Sequence, residues 1–365
     1  MTRRTSGWRP PHCPNPNCRY FNHSGGHWPF KRKGFYTRTV APKRIQRFTC
    51  SSCGRHFSTQ TFSVTYWQKR PRLLEQMFLM VVGCMANRQI ARALGCAPST
   101  VAHQISRLGR HCLLFQSHEL TRINSLGEIV IDGFESFEYS QYHPFHHNVA
   151  VDVETGYFLI HTDSPLRRKG RMTTHQKKRR RELEAALGRP APDAVRTGIR
   201  ELLEPLAEKC DMLAIRSDDH RAYPPAMREL SCRITHAVTS SKQRRDDRNP
   251  LWEVNLTDLM IRHSTAAHKR ETIAWAKRRQ ASAEKLAIFQ VWRNYVKRRW
   301  ENGPAESSAM LKGLASRLLG VRDVLSGRYF RQHIELPWVW ARYYNRAVET
   351  PALGVNRMHT LSYAY

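Results

Sequence analysis

Two groups of side chains in this sequence have the type and spacing for metal chemistry, and the first group is cysteine. Cys13 and Cys18 form one pair near the start of the chain, and Cys50 and Cys53 form a second. Four thiolates suit Zn²⁺, and a closed tetrahedral site of this kind leaves no position for a substrate. The spacing therefore predicts a structural zinc site in a zinc ribbon over residues 1–66.

Two alternatives accompany this interpretation. The four cysteines could be unrelated buried thiols, although two pairs of suitable spacing argue against it. One of the nearby histidines could also replace a sulfur, and these are His12, His23, His27 and His56. Four cysteines are the simpler ligand set. The basic and aromatic segment between the two pairs predicts a β-hairpin.

The second group consists of aspartates in the later part of the chain. Asp132 follows the apolar segment 129–131, Asp218 ends the segment 212–217, and Asp258 lies in a helical stretch. Clustered carboxylates are hard oxygen ligands for Mg²⁺ or Mn²⁺, and a two-metal site activates water or a 3′-hydroxyl for attack on a phosphodiester. Taken singly, each aspartate could instead begin a turn or cap a helix.

The elements that must position these aspartates form one α/β pattern over residues 125–300. Three short strands form a meander, a helical segment leads to a strand that ends in Asp218, and a largely helical region follows. The predicted boundaries are 127–138, 147–154 and 156–161 for the meander, 195–209 for the helix, 211–219 for the acidic strand and 251–299 for the helical region. This is the element order of a ribonuclease H-like fold, in which carboxylates from separate elements meet.

Residues 67–118 carry the pattern of a helix-turn-helix. Gly95 allows a tight turn, and Pro98 suits the first turn of a third helix that runs to about Leu114. The exposed residues of that helix are expected to contact DNA: Ser99, Thr100, His103, Gln104, Arg107 and Arg110. The alternative is a basic amphipathic helical hairpin without a DNA role.

The net charge of the chain also predicts a nucleic-acid partner. The chain has 60 Lys and Arg against 30 Asp and Glu, which gives a net charge of +30 and favours nucleic acid. A basic insert spans residues 163–209, and its segment 167–181 is expected to border bound DNA or to be disordered without it. The expected contacts are Arg167, Arg168, Lys169, Lys177, Lys178 and Arg179. A solvated charged face is the alternative.

The sequence does not predict a membrane-spanning segment or a mechanism driven by nucleotide hydrolysis. No apolar run reaches the roughly 18 residues of a spanning helix, and the first residues lack the apolar core of a signal peptide. No glycine-rich phosphate loop appears, and no small-molecule substrate is expected. We expect a soluble, cytoplasmic protein. Residues 301–365 form an aromatic and basic tail that either packs on the preceding domain or pairs protomers.

At the level of families, the chain resembles bacterial transposases of the insertion-sequence-one type. The resemblance rests on Cys13 and Cys18, the QRFTCSSC stretch 46–53, the Ile131-Asp132 strand, the Ser217-Asp218 strand five residues before Tyr223, and Arg262 followed by the segment 269–277. It implies that Asp132 and Asp218 are metal ligands. It also implies a DDE-type transposase that acts on element-end and target DNA as a homo-oligomer.

The third acid departs from the family pattern. The position at which the family has glutamate falls on Asn255, which has no carboxylate. Asp258 lies one helical turn later and is the preferred third ligand, with Glu253 and Glu271 as weaker candidates. A non-catalytic DNA-binding regulator, descended from a transposase, also fits this departure, and a structure-specific nuclease is a further alternative.

Overall fold

The first strands form a small antiparallel sheet. A computed structural model describes residues 8–22, 27–269, 272–329, 334–356 and 358. Strands β1 (Phe30–Thr37), β2 (Arg44–Cys50) and β3 (His56–Ser58) pair antiparallel in that order. The predicted hairpin is confirmed as the β1–β2 pair. Its inner face is aromatic, since Trp28, Phe48 and Phe57 pack together in the first core cluster of the chain.

Three helices follow where the sequence predicts them. They are α1 (Leu73–Val82), α2 (Asn87–Leu94) and α3 (Pro98–Thr121). Gly95 ends α2 in the left-handed conformation (φ 57°), which glycine adopts without strain, and Pro98 occupies the first turn of α3. Helix α3 extends a full two turns past the expected end near Leu114, because buried residues continue through Leu120.

A five-stranded mixed sheet forms the centre of the structure. Its strands are β4 (Ile129–Phe137), β5 (Pro144–Asp152), β6 (Phe158–Pro165), β7 (Met212–Asp218) and β8 (Arg233–Thr239). Their order is β6-β5-β4-β7-β8, in which β4, β5 and β6 are antiparallel and β7 runs parallel to both β4 and β8. The predicted meander and acidic strand are therefore present, and the chain is a mixed α/β structure.

Helices cover this sheet and complete the chain. They are α4 (Thr174–Leu187), α5 (Ala194–Ala207), α6 (Tyr223–Met227), α7 (Trp252–Ser264), α8 (Arg279–Val291) with a π-helical continuation (Trp292–Val296), α9 (Ser308–Leu311), α10 (Val321–Ser326) and α11 (Trp338–Tyr344). Helix α5 packs on β6, α7 packs on β4 and β5, and α8 packs along α3. Within the described ranges, no helix is long and apolar enough to cross a bilayer.

Alternate residues of β4 enter two different cores. Ile129 and Ile131 join a large cluster that also contains residues of α1, α3, α8 and α11, whereas Val130 and Phe134 join a second cluster with α7 and α8. The first half of β4 is thus buried on both faces of the sheet, whereas the edge strand β8 is largely exposed. The aromatic helix α11 packs within the same chain, where Trp340 is fully buried and donates a 3.0 Å hydrogen bond to the carbonyl of His161.

Candidate functional sites: a cysteine cluster and an acidic cleft

The four paired cysteines lie together at one end of the small sheet. The sulfur atoms of Cys13 and Cys53 are 3.6 Å apart, those of Cys18 and Cys50 are 3.8 Å apart, and all four lie within 4.8 Å of one another. A tetrahedral Zn²⁺ with 2.3 Å bonds to sulfur requires sulfur separations of about 3.8 Å. The cluster is therefore close enough to hold a metal ion, as the sequence predicts.

The thiols of this cluster differ in acidity. Burial raises the pKa of Cys13. At Cys53, which is exposed, burial also acts upward but is outweighed by hydrogen bonds from the Asn15 side chain, the Arg55 backbone and the neighbouring thiols, so the pKa falls to about 6. A thiol of that pKa is ionised at neutral pH and is ready to bind a cation.

The nearby histidines have other partners. The His12 ring bonds the Cys13 carbonyl at 3.0 Å, the His27 ring bonds Arg9 at 2.9 Å, and the His56 ring bonds the Thr49 hydroxyl at 2.8 Å. His23 lies outside the described residues. These contacts favour the four sulfurs as the ligand set.

Asp132 and Asp218 lie side by side on neighbouring strands. The β4–β7 ladder pairs Val130 with Arg216, and each aspartate is two residues further along its own strand. Because the two strands are parallel, equal steps keep the two side chains at the same level and on the same face of the sheet. The β4–β7 pairing ends at Val130, and beyond it both aspartates line one cavity.

Helix α7 brings the third aspartate to this cleft. Asp132, Asp218 and Asp258 line a cavity of about 890 Å³ together with Asn255. The Oδ1 atom of Asp258 is buried without a hydrogen-bond partner. In the part of the chain that the structure describes, the carboxylate oxygens are more widely spaced than the cysteine sulfurs, since they do not all lie within 4.8 Å.

The electrostatics of the cleft reflect mutual repulsion between carboxylates. Burial and the charge of Asp218 raise the pKa of Asp132 to about 6, against the opposing effects of the Gly133 N–H and two arginines. Burial and the charge of Asp132 raise the pKa of Asp258. The same three charges also raise the pKa of the buried Tyr223 hydroxyl after burial itself. An added cation would relieve this repulsion.

A cationic rim borders the acidic cleft. Arg245, Arg262 and Lys269 line the same cavity, as does His146. The Arg262 guanidinium stacks over the Phe134 ring at 5.4 Å and donates a 3.2 Å hydrogen bond to the His268 carbonyl, which fixes its position. Carboxylates beside fixed guanidinium groups suit a divalent cation together with an anionic phosphate.

Of the two weaker candidates for the third ligand, the structure describes only Glu253. Glu253 forms a 2.5 Å ion pair with Arg299, whose side chain is almost fully buried, and it does not line the cavity. Glu271 lies outside the described residues. A buried carboxylate oxygen without a partner and a hard oxygen donor set fit Mg²⁺ or Mn²⁺ at Asp132, Asp218 and Asp258.

The predicted DNA-contacting residues in the first turns of α3 differ in their exposure to solvent. Ser99 and His103 are exposed, and Thr100 and Gln104 are half-buried beside them. The half-buried Arg107 donates hydrogen bonds of 2.9 Å to the carbonyls of Val64 and Tyr66. The first turns of α3 thus expose Ser99 and His103, whereas the expected exposure of Arg107 is only partial because its guanidinium binds the preceding segment.

The expected exposure of Arg110 is wrong. Its side chain is only 3% exposed, and burial lowers its pKa to about 10 even though Glu284 opposes this effect. The physical reason is the close approach of α8, since a Cβ atom at the adjacent Gly109 would lie 2.7 Å from the Cβ of Glu284. The second half of α3 therefore belongs to the core.

The basic insert is folded between residues 174 and 187. Helix α4 has no buried residue, and Lys169, Lys177, Lys178 and Arg179 are exposed. The half-buried Arg167 forms a 2.7 Å ion pair with Glu184, and the half-buried Arg168 lies over the Tyr142 ring at 5.1 Å. Disorder without DNA was one of two expectations for this segment, and for α4 it is wrong, because the Thr173 cap and the ion pairs of Glu184 stabilise the helix.

Sequence reasoning missed the cationic rim. Arg245 belongs to a short charged segment, and nothing in its spacing indicates which side of the sheet it approaches. Arg262 enters the sequence pattern only as a point of resemblance to the family.

No protein-family model and no curated protein matches the sequence.

Proposed function

We propose that this protein is a metal-dependent DNA-cutting and DNA-joining enzyme of the transposase type. One observation carries the proposal: Asp132, Asp218 and Asp258 come from three separate elements to one cleft, where a carboxylate oxygen of Asp258 is buried without a partner. Such an arrangement is costly unless a cation or a proton balances it. The cationic rim beside it suits the phosphate of a nucleic acid.

The order of elements supports a ribonuclease H-like catalytic domain. An antiparallel meander, a covering helix, a parallel strand ending in an aspartate and a later acidic helix follow one another along the chain. The resemblance to transposases of the insertion-sequence-one type implies that the first two aspartates are metal ligands. Asp132 and Asp218 would take that role here, with Asp258 as the third ligand.

The residues of the cleft then have distinct roles. The three aspartates would hold Mg²⁺ or Mn²⁺, which when bound supplies an activated nucleophile and stabilises the leaving oxygen. Arg262 and Lys269 would orient the phosphodiester, because fixed cations at the rim hold an anion near the carboxylates that repel it.

Separate elements would bind the DNA duplex. The exposed first turns of α3 suit the major groove, and the exposed face of α4 suits the phosphate backbone. The cysteine cluster would hold a structural Zn²⁺ in a zinc ribbon that supports this surface. Element-end and target DNA are the expected partners, on which the protein would act as a homo-oligomer in the bacterial nucleoid.

A second candidate is a DNA-binding regulator without catalysis. Asn255 favours it, because this amide lines the cleft at the position where the resemblance predicts a glutamate. A structure-specific nuclease would keep the cleavage step but would not join strands. Each alternative predicts a different set of reaction products.

Incubation with supercoiled plasmid and Mg²⁺ or Mn²⁺ tests catalysis. The wild-type protein should nick the plasmid, and Asp132→Asn and Asp218→Asn should bind DNA with wild-type affinity but should not nick it. Joined products with a duplex from the DNA that flanks the gene distinguish a transposase from a nuclease. A wild-type protein that binds DNA tightly but never nicks it would contradict the proposal and favour the regulator.

A further inference from the structure

A second cavity adjoins the acidic cleft. It has a volume of about 610 Å³, within the range of cavities that hold small ligands. Glu135, Arg262 and Lys269 line both cavities, so the two are continuous along one wall. The acidic chemistry of the cleft is not repeated here, since the new cavity is lined by none of the three aspartates. One ligand could therefore place one group in this cavity and a phosphate in the cleft.

Aromatic and polar side chains share the lining. Phe137 and Trp275 provide flat apolar surfaces, and Ser140 and Gln141 provide hydrogen-bond donors and acceptors. A flat heterocycle with polar edges is complementary to such a lining, because its faces can stack while its edges form hydrogen bonds.

Trp275 is held in place before any ligand binds. Its indole N–H donates a 3.1 Å hydrogen bond to the Tyr139 carbonyl, and the Tyr139 N–H donates one of 3.1 Å to the Ala276 carbonyl. The Lys277 ammonium lies 4.1 Å from the centroid of the Trp275 ring and adds positive charge near the aromatic wall. A fixed aromatic ring loses little conformational freedom on binding.

We propose that this second cavity, the base pocket, receives one unpaired nucleobase of a DNA strand whose neighbouring phosphate lies against Arg262 and Lys269. The proposal rests on the proposed function, because it requires DNA in the acidic cleft. Charge complementarity selects this occupant over an apolar peptide, since the two cations Arg262 and Lys269 outnumber the single carboxylate of Glu135 where the pocket meets the cleft. In enzymes that act on DNA, stacking and hydrogen bonds of this kind offset the free-energy cost of unpairing a base.

Binding to two synthetic probes tests the base pocket. Both are 20-bp duplexes with a four-nucleotide 3′ overhang, which carries four thymines in one probe and four abasic sites in the other. The two backbones have the same charge, and stacking tolerates any sequence. Fluorescence anisotropy with full-length protein and no added Mg²⁺ measures affinity without turnover. The wild-type protein should bind the thymine probe about tenfold more tightly, as one stacked base implies.

Substitutions then locate the effect. Trp275→Ala and Phe137→Ala should each remove most of the preference for the thymine probe, whereas Trp275→Phe should keep most of it. Trp300→Ala is the matched control, because Trp300 is about half exposed and lines neither cavity. It should keep the full tenfold preference. Probes with a single abasic site should show that one of the four positions accounts for the preference.

Several results would overturn the base pocket. Equal wild-type affinity for the two probes would do so, as would an unchanged preference in both Trp275→Ala and Phe137→Ala. A protein that nicks plasmid but lacks the preference fails this inference alone. A protein that shows the preference but never nicks DNA fails the proposed catalysis alone. Absence of DNA binding would overturn both.

Discussion

Asp258 and Glu253 lie five residues apart on α7, and their surroundings give them opposite roles. The Asp258 Oδ1 atom is buried without a partner at the cleft, whereas both oxygens of Glu253 accept hydrogen bonds from Arg299. A carboxylate that already neutralises a buried guanidinium is poorly placed to bind a metal ion. At the residue scale, Asp258 is thus a candidate ligand and Glu253 is a structural partner.

Substitution of these two acids should therefore produce different defects. Asp258→Asn should reduce nicking by more than about 100-fold, because loss even of an outer-shell partner costs 10- to 100-fold, and it should leave the fold intact. Glu253→Gln should retain nicking at low temperature but lower stability by about 3 kcal/mol, because it leaves Arg299 buried without its charge partner. Nicking rates and thermal unfolding measure the two effects.

The exposed pair on α4 supplies a control for this comparison. Glu182 forms a 3.0 Å ion pair with Arg179, and both side chains are about half exposed. Glu182→Gln should change neither the nicking rate nor the unfolding temperature, because surface ion pairs contribute little. The assignment of α7 is wrong if Glu253→Gln abolishes nicking while the protein remains folded and Asp258→Asn is fully active.

Helix α3 combines two functions along its length. Its first turns are exposed for contacts outside the chain, and its second half packs against α8. The two helices are in tight contact at Gly109, where a Cβ atom would lie 2.7 Å from both the Cβ and the backbone oxygen of Glu284. Backbone atoms cannot move aside as the end of a flexible side chain can. At the element scale, this contact fixes the presented face of α3 relative to the rest of the chain.

Gly109→Ala should therefore destabilise the protein. Alanine gains about 1 kcal/mol of helix propensity, but overpacking against α8 costs about 1–3 kcal/mol, so we expect a net loss of stability. Gly127→Ala is the control, because its Cβ would meet only the Asp152 Oδ2 atom at an ordinary distance of 3.6 Å. Urea unfolding should show a lower midpoint for the first variant only. An unchanged midpoint for Gly109→Ala would contradict the close packing.

The small sheet should depend on its metal ion. Seven buried residues form its core cluster, and three of them are the ligand candidates Cys13, Cys18 and Cys50. Because much of the folding free energy of such a module comes from the ion, a strong chelator should unfold it while the rest of the chain stays folded. Cys50→Ser should have the same effect, and Cys112→Ser, at a single buried cysteine of α3, should not release zinc. Elemental analysis of the purified protein should find one Zn²⁺ per chain.

Local patterns predicted many of these elements but not their contacts. The spacing of the two cysteine pairs identified all four clustered cysteines. The apolar segments identified β4 and β7 together with Asp132 and Asp218. The burial of Arg110 and the approach of Arg245 to the cleft depend on partners far away in the chain, Glu284 and Asp132 respectively. No local periodicity carries that information. The same limit applies to the base pocket, whose walls come from segments on both sides of residue 200.

Across the whole molecule, positive charge surrounds a small acidic site. The sequence has a net charge of +30, and single acids such as Glu184 already balance several arginines. The net positive charge therefore attracts a polyanion, while the three aspartates at the cleft repel it locally. A phosphate enters such a site only where Arg262 and Lys269 are in place or a cation is bound. This contrast favours action on DNA over simple coating of DNA.

A set of buried imidazoles should make the whole molecule sensitive to acid. His111, His147, His161 and His268 are at most 2% exposed, and burial lowers the pKa of each. For His111 and His147 the folded pKa is about 4, below the unfolded value of about 6.5. Between these values the unfolded chain binds protons that the folded chain does not, so stability must fall as pH falls.

His111 isolates one such contribution. Its ring bonds the Val324 carbonyl at 2.8 Å, and His111→Gln keeps a side-chain donor for that carbonyl but removes the titration. Below pH 6.5 the free energy of unfolding of this variant should decline less steeply than that of the wild type, by up to about 1.4 kcal/mol per pH unit. Urea unfolding at several values between pH 7 and pH 5 measures the slope. His103→Gln is the control, because His103 is exposed on the same helix. Equal slopes for wild type and His111→Gln would show that the buried ring gains no proton on unfolding.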